Sequence, residues 1–416
     1  MIINLQDYVD SLKEIEKESK NNFRYRHFLT MFYSQIFCKD GDNEGFTDDE
    51  FLALCYLKRA CNYMQLDTIQ GCLIGGAIGD ALGFPVEFLE DCSIFKKYGE
   101  NGITELQLYN GIAHFSDDTQ MSLFTADGVI AASKKFEKPT SDDYIKSIYE
   151  SYLNWLYTQD NTYSIPVGVY HSELLNIKDL HQQRAPGRTC ISALESGKCG
   201  TFTYKLNDSK GCGGIMRVSP IALFLAQIKE FEVKEIALVA ARSAAITHSH
   251  ALGYIPAAYL AAMLCFMVKG DTISMSSSKA KSIIKDLFPN REETDVCLAL
   301  VDKAHELAFM SDDEEVEPID DLEAIRMLGE GWVAEETLAI ALYCSLKYCD
   351  DFKKGIIAAV NHSGDSDSTG AVTGNILGTY WGLRRLPQEM VECIELKDEI
   401  LDLAKKMHLN KLTTEV

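Results

Sequence analysis

Apolar residues recur at helical spacing along most of the chain. The segments 118–135, 142–158, 219–230, 233–246, 256–269, 296–310, 334–348 and 387–406 follow a period near 3.6, which gathers their apolar positions on one helix face. The stretch FLALCYLKRACNYM (51–64) has the same texture, and Thr47-Asp-Asp-Glu50 ahead of it reads as a capping box. Residues 19–26 and 39–46 read as loops, as does the acidic run Ser311-Asp-Asp-Glu-Glu-Val-Glu-Pro318. There is no repeated βα alternation and no series of hairpins, so the pattern predicts an all-α fold. From Thr68 onward the composition shifts to small residues and glycine. That shift divides the chain into an N-terminal helical extension, 1–66, and a main domain, 67–416.

Two stretches break ordinary helix composition in the same way. Gly71, Gly75, Gly79 and Gly83 recur every fourth residue, as do Gly370, Gly374 and Gly378. Positions i and i+4 share a helix face. Each glycine costs about 1 kcal/mol in helix propensity relative to alanine, so a close backbone approach is expected to compensate. Gly83, before Phe84-Pro85, reads as a loop or cap position.

Charge and cysteine usage narrow the function classes. Lys+Arg 40 against Asp+Glu 62 gives a net charge of -22, which repels phosphate backbones and argues against nucleic acid as a partner. The 13 cysteines show no CxxC pair or zinc-like spacing; several, such as Cys55, Cys265 and Cys297, sit in apolar runs. This usage, and an N-terminus without a basic then apolar leader, predicts a reducing cytoplasmic setting. Ala251–Val268 carries no charge and is long enough to reach marginally across a bilayer. Standing alone and interrupted by Gly253 and Pro256, it reads as a buried core helix that begins near Pro256, with no membrane partner.

Two acidic clusters carry the chemistry. In HFSDDTQMSLF (114–124), Ser116 suits an N-cap and Asp117 and Asp118 fall in the first turn, where the helix dipole favours anions. In HSGDSDSTGAVTGN (362–375), Asp365 and Asp367 precede a helix expected to begin at Ser368 or Thr369. Each start taken alone reads as helix capping. Together they offer hard oxygen donors without cysteine, a set that suits Mg²⁺, Mn²⁺ or Ca²⁺ rather than zinc, and enough acids for two ions. Asp365-Ser-Asp-Ser-Thr369 also matches the DxDxT loop of haloacid-dehalogenase-type phosphatases, although that loop follows an early strand and only 47 residues remain after Thr369. Gly211-Cys-Gly-Gly-Ile-Met-Arg217 exposes backbone N–H groups able to hold a diphosphate, with Arg217 nearby.

The segments GCLIGGAIGDALGFPVEF (71–88), FSDDTQMSLFTADG (115–128), GCGGIMRVSPIAL (211–223), ITHSHALGY (246–254), GEGWVAEETLAIALY (329–343) and GDSDSTGAVTGNILG (364–378) resemble, in order, the motifs of the ADP-ribosylglycohydrolase family. The resemblance covers roughly 70–408. It implies an orthogonal multi-helix bundle with two Mg²⁺ ions (Mn²⁺ as a substitute) at a cleft, and hydrolysis of the bond joining ADP-ribose to a protein side chain, arginine first. By the same resemblance the metal ligands fall on Ser116, Asp117, Asp118, Asp365, Asp367 and Ser368, and the candidate catalytic acids are Asp365, Asp118 and Glu87. Substrate contacts fall on Gly213, Gly214, Met216, Arg217, His248 and Trp332, and the Arg184–Arg188 loop is expected at the cleft rim. The expected partner is an ADP-ribosylated protein. The alternative function is an immunity-type binding protein that docks an ADP-ribosylating toxin through residues 1–66; the phosphatase is a third.

Overall fold

The structure, a computed structural model, describes residues 48–160, 162–310 and 319–408. The cap at Thr47, the loops at 19–26 and 39–46, the acidic run 311–318 and most of the proposed docking extension lie outside these residues. The described chain is helical almost throughout.

The first described helix, α1, runs from Asp48 to Gly83 without a break. It passes straight through residue 66, because neither glycine nor proline separates Met64 from Gln70. The described end of the extension, 48–66, therefore joins the glycine-rich segment as one helix. The later helices that matter below are α2 (Asp91–Tyr98), α3 (Asp117–Lys135), α4 (Ser141–Gln159), α5 (Arg188–Glu195), α6 (Ser219–Leu225), α7 (Val233–Ala245) and α8 (Ala251–Val268). They continue with α9 (Ile273–Leu287), α10 (Glu292–Phe309), α11 (Asp321–Leu328), α12 (Ala334–Lys347), α13 (Phe352–Val360), α14 (Ser366–Trp381), α15 (Gln388–Val391) and α16 (Lys397–Met407).

At the centre lies α8, buried on every side from Ala251 to Cys265, and it packs against α6, α7, α9 and α12. A helix apolar all round has no face for water. Burying each of its large side chains contributes roughly 1.5–3 kcal/mol. Its start differs from the expectation: the His250 imidazole caps the helix by accepting Leu252 N–H at 3.1 Å, so Pro256 lies inside it. Among the described residues, Gln65–Val86 and Ala251–Val268 are long and apolar enough to cross a membrane, and both are mostly buried within the protein.

The two glycine stripes face each other, and α1 and α14 cross there in backbone contact. A Cβ at Gly71, Gly75, Gly79 or Gly83 would strike the carbonyl oxygen of Gly378, Gly374, Gly370 or Ser366 respectively. Gly83 thus belongs to the crossing as well as to the helix end. Asn375 threads through it, donating to the Cys72 carbonyl at 3.0 Å and accepting from Ser219 Oγ at 2.7 Å. The crossing brings the end of α1 to the start of α14, where the acids lie.

Several elements depart from the periodicity. The expected 219–230 helix ends at Leu225, where Gln227 donates its side-chain amide to the Leu223 carbonyl and takes over an orphan helix acceptor. The expected 387–406 helix is split into α15 and α16. Residues 393–395 pair instead with Ala113, through Ala113 N–H to Cys393 O at 2.8 Å and Glu395 N–H to Ala113 O at 3.0 Å, and Leu396 takes a left-handed φ of 53°. Ala113 ends a two-strand hairpin, Leu108–Tyr109 with Ile112–Ala113, turned at Asn110-Gly111 with both φ positive, the pair that type I′ turns favour.

Candidate active site

Two helix starts form the floor of one cleft. Ser116 caps α3 by accepting Asp118 N–H at 3.2 Å, leaving Asp117 and Asp118 in the first turn. Helix α14 begins earlier than expected: Asp365 itself is the cap, accepting Ser368 N–H at 3.3 Å, and Asp367 sits in the first turn. A cap residue needs a short acceptor that reaches back to the third N–H, and Asp365 reaches before Ser368 can. The two starts touch where Ser368 Oγ donates to Asp118 Oδ2 at 2.8 Å.

Asp80, which the motif reading passed over, holds this junction together. It is fully buried on α1 and accepts from Ser116 N–H at 2.8 Å, Thr119 N–H at 3.0 Å and the Thr119 hydroxyl. Orphan donors at the start of α3 are thereby satisfied by an acid from another helix. A lone carboxylate in the apolar GCLIGGAIGDALGF run was the available sign.

The cleft above encloses ≈ 390 Å³ and is lined by Glu87, Asp117, Asp118, Asp365, Asp367 and Ser368 on the acidic side. Gly213, Met216, His248 and Trp332 line it too, with the 185–188 turn at its rim. The carboxylates are so buried that none is more than 8% exposed. Burial, and then the charge of Asp367, pushes Asp80 up to about 7, and the same two causes push Glu87 up to about 10. Asp117, Asp118 and Asp365 stand well above the usual carboxylate range, with burial the largest cause for each. Glu87 Oε2 is buried without a hydrogen-bond partner. Like charges held this closely out of water favour neutralisation, by protons or by cations.

The remaining expected contacts divide. Gly214 supports the cleft from behind, packed against Gly253 and Ala244. Arg217 departs from the expectation: it is fully buried, donates to Thr247 Oγ1 at 2.7 Å and lies over the Tyr152 ring. A guanidinium spends its donors on fixed acceptors when the core supplies them, so it braces the loop from below. Thr247 also meets His248 Nδ1 at 2.9 Å, and burial, then the Arg217 charge, pushes this imidazole down to about 3. His248 is thus a neutral wall. Ser116 lies beneath the lining. Cys212, unremarked in the sequence reading, donates its thiol to Asp365 Oδ2 at 2.7 Å. The Asp117 carboxylate accepts Gly187 N–H at 3.1 Å, fastening the rim to the floor.

An all-helical fold with an acidic, oxygen-rich cleft at two converging helix starts defines the class, and the DxDxT match falls at a helix start rather than a strand end. The sequence profile described as ADP-ribosylglycohydrolase matches residues 62–415; the chain belongs to the ADP-ribosylglycohydrolase family. It is 22% identical to ADP-ribosylhydrolase ARH3 of Homo sapiens, over 83% of this chain and 93% of that one. It is 27% identical to ADP-ribosyl-[dinitrogen reductase] glycohydrolase of Rhodospirillum rubrum, over 80% and 92%. The ADP-ribosylarginine hydrolase Tri1 of Serratia proteamaculans is 24% identical, over 82% and 79%. A solved structure titled ADP-ribosylglycohydrolase-related protein complex shares the fold with a TM-score of 0.52 at 23% identity, over 83% of this chain and 98% of that one.

Proposed function

We propose that the protein releases ADP-ribose from modified arginine side chains of a protein substrate, with Mg²⁺ bound at the acidic floor. The observation that carries this reading is the convergence of five carboxylates from three chain segments on one cleft, one of them with an unpartnered oxygen. The donor set fits hard divalent ions: the acids face one another and every donor is oxygen. Asp117, Asp118, Asp365, Asp367 and Ser368 would hold them, with Ser116 supporting from beneath. Among the described residues, no three His, Cys, Asp or Glu side chains already stand as a ready-made ligand set, so loading requires side-chain adjustment. Bound Mg²⁺ would neutralise the carboxylates and polarise ligand oxygens.

The chain's own groups divide the remaining work. Water attacks the anomeric carbon, the carbon–nitrogen bond breaks with its electron pair staying on the guanidine nitrogen, and the proton that the water gives up is passed to that nitrogen. Asp365 already accepts from Cys212 and Ser368, and Asp118 accepts from Ser368. Without cations Glu87 holds a proton, because burial and the charge of Asp367 raise it to about 10. With that charge offset by bound Mg²⁺, Glu87, whose Oε2 has no partner, would be free to receive the water's proton. The expected row of exposed amides is mostly spent within the protein, with Gly211 N–H given to Ser209 Oγ, Cys212 N–H to the Trp332 carbonyl, and Ile215 and Met216 N–H to the Cys212 carbonyl. Gly213 at the cleft lining is therefore where this loop would meet the diphosphate. A cytoplasmic setting belongs to this proposal, supported by described cysteines that are all free thiols.

Mass spectrometry of products from ADP-ribosyl-arginine and ADP-ribosyl-serine peptides, with Mg²⁺ and with chelator, tests the reading. The expected result is free ADP-ribose and intact arginine with Mg²⁺ and neither product in chelator. Turnover undiminished by chelator, or release from serine alone, would overturn it.

The raised carboxylates also make stability depend on pH. The folded state retains protons that the unfolded chain releases above about 4, so unfolding becomes easier as pH rises through about 7 for Asp80 and towards about 10 for Glu87. Chelated protein is expected to melt lower at about pH 8 than at about pH 5, and Mg²⁺ should raise Tm more at the higher pH. Equal Mg²⁺ shifts in calorimetry at both pH values would contradict a carboxylate-held ion.

A further inference from the structure

The mouth of the cleft carries two aromatic rings that neither the core nor the acidic floor requires. Phe88 directly follows Glu87 and is 71% exposed, and Trp332 is 39% exposed. Their rings stack with centroids 5.8 Å apart and planes 22° from parallel, and both line the cleft. The stack ties together two walls of different origin. Phe88 follows the short 3-10 turn Phe84–Val86 at the end of α1. Trp332 is seated over the floor: its carbonyl accepts Cys212 N–H at 3.2 Å. Gly331 before it takes a φ of 82° and packs so closely that a Cβ would press on Thr369 and Asp365. The pair is thus fixed relative to Asp365, and although each ring covers one face of the other, much of Phe88 stays open to solvent.

The surroundings select the ligand. The chain carries a net charge of -22, and the groups beside the rings are Glu87, with its unpartnered Oε2, and the floor aspartates. A flat cation gains from both features, because a guanidinium stacks on aromatic faces and is drawn to carboxylates. With the acids at the floor and the rings at the mouth, the sugar side of the scissile bond points inward and the protein side passes the rings.

We infer that Phe88 and Trp332 seat the guanidinium of the linked arginine, so that the pair sets the preference for arginine over hydroxyl linkages. This rests on the ADP-ribosyl hydrolase reading above. An O-linked side chain offers no planar cation and gains nothing from the stack.

The test uses Phe88→Ala, Trp332→Ala and the conservative Phe88→Tyr in the full-length chain, with Tm measured for each. Steady-state kinetics on the arginine-linked and serine-linked ADP-ribosyl peptides give the preference, and calorimetry gives the Kd for free ADP-ribose. Phe88→Ala is expected to raise KM for the arginine-linked peptide about tenfold and to lower the arginine-over-serine ratio of kcat/KM by a similar factor. Phe88→Tyr should restore both, and the ADP-ribose Kd should stay within about twofold. An unchanged ratio in both alanine variants would overturn the inference while leaving the hydrolase reading intact. Equal weakening of ADP-ribose binding would also overturn it, by placing the rings on the nucleotide side. Wild-type protein inert towards every ADP-ribosylated peptide would overturn the hydrolase reading and this inference with it.

Discussion

Asp365→Asn is expected to lower ADP-ribosyl hydrolysis by at least ~100-fold while leaving the protein folded. Asparagine caps helices about as well as aspartate, so the acceptor for Ser368 N–H at the start of α14 is kept. The other carboxylate oxygen, which accepts from the Cys212 thiol, becomes an NH2 group, so that one hydrogen bond is lost. One negative charge also disappears from a buried acidic floor. The loss of charge weakens cation binding and the placement of water together, whereas the metal-free fold gains from reduced repulsion among neighbours that already stand above the usual carboxylate range. The measurements are steady-state turnover, Mg²⁺ titration and Tm in chelator. Near wild-type turnover would remove Asp365 from the mechanism; collapse of Tm would assign it a purely structural role.

The second large effect is expected from Gly374→Leu. Gly374 is buried at the crossing of α1 and α14, and even a Cβ there would press on the Gly75 carbonyl and the Gly76 nitrogen. Those are backbone atoms of a helix, which cannot swing aside as a flexible side chain does. The helices must separate, and overpacking of this kind costs about 1–3 kcal/mol where side chains yield; against backbone the upper end or beyond is expected. Separation would also shift the start of α14, two turns away, where Asp365 and Asp367 sit. Denaturant unfolding should show the loss of stability, and Mg²⁺ binding should weaken in parallel. Unchanged melting with unchanged Mg²⁺ affinity would show that the crossing tolerates bulk and plays no part in placing the acids.

Much of this architecture is legible in the sequence alone. Long amphipathic segments such as α3, α4 and α7 carry their own period, and their bounds fall within a residue or two of those expected. The periodicity does not show helices α2, α5, α9, α11 and α13. Helix α9 (ISMSSSKAKSIIKDL) is rich in serine, which competes for backbone hydrogen bonds, and the other four are short. The split between α15 and α16 was also hidden, because Ala113, some 280 residues away, captures the backbone of 393–395. Pro256 misled for a related reason: a capping histidine upstream started the helix first.

The sequence by itself determined the helical class, the two acidic helix starts and the two glycine stripes, since each is written in local spacing that a single element must obey. Only the tertiary structure decided what those features do together. Which stripe meets which, that Asp80 anchors the start of α3, that Arg217 turns into the core rather than the cleft, and that Phe88 meets Trp332 are matters of contact between elements far apart in the chain. Local periodicity specifies a face, and a face has many possible partners. The partner is chosen by which pairing buries most of the apolar faces and satisfies most of the buried polar groups at once.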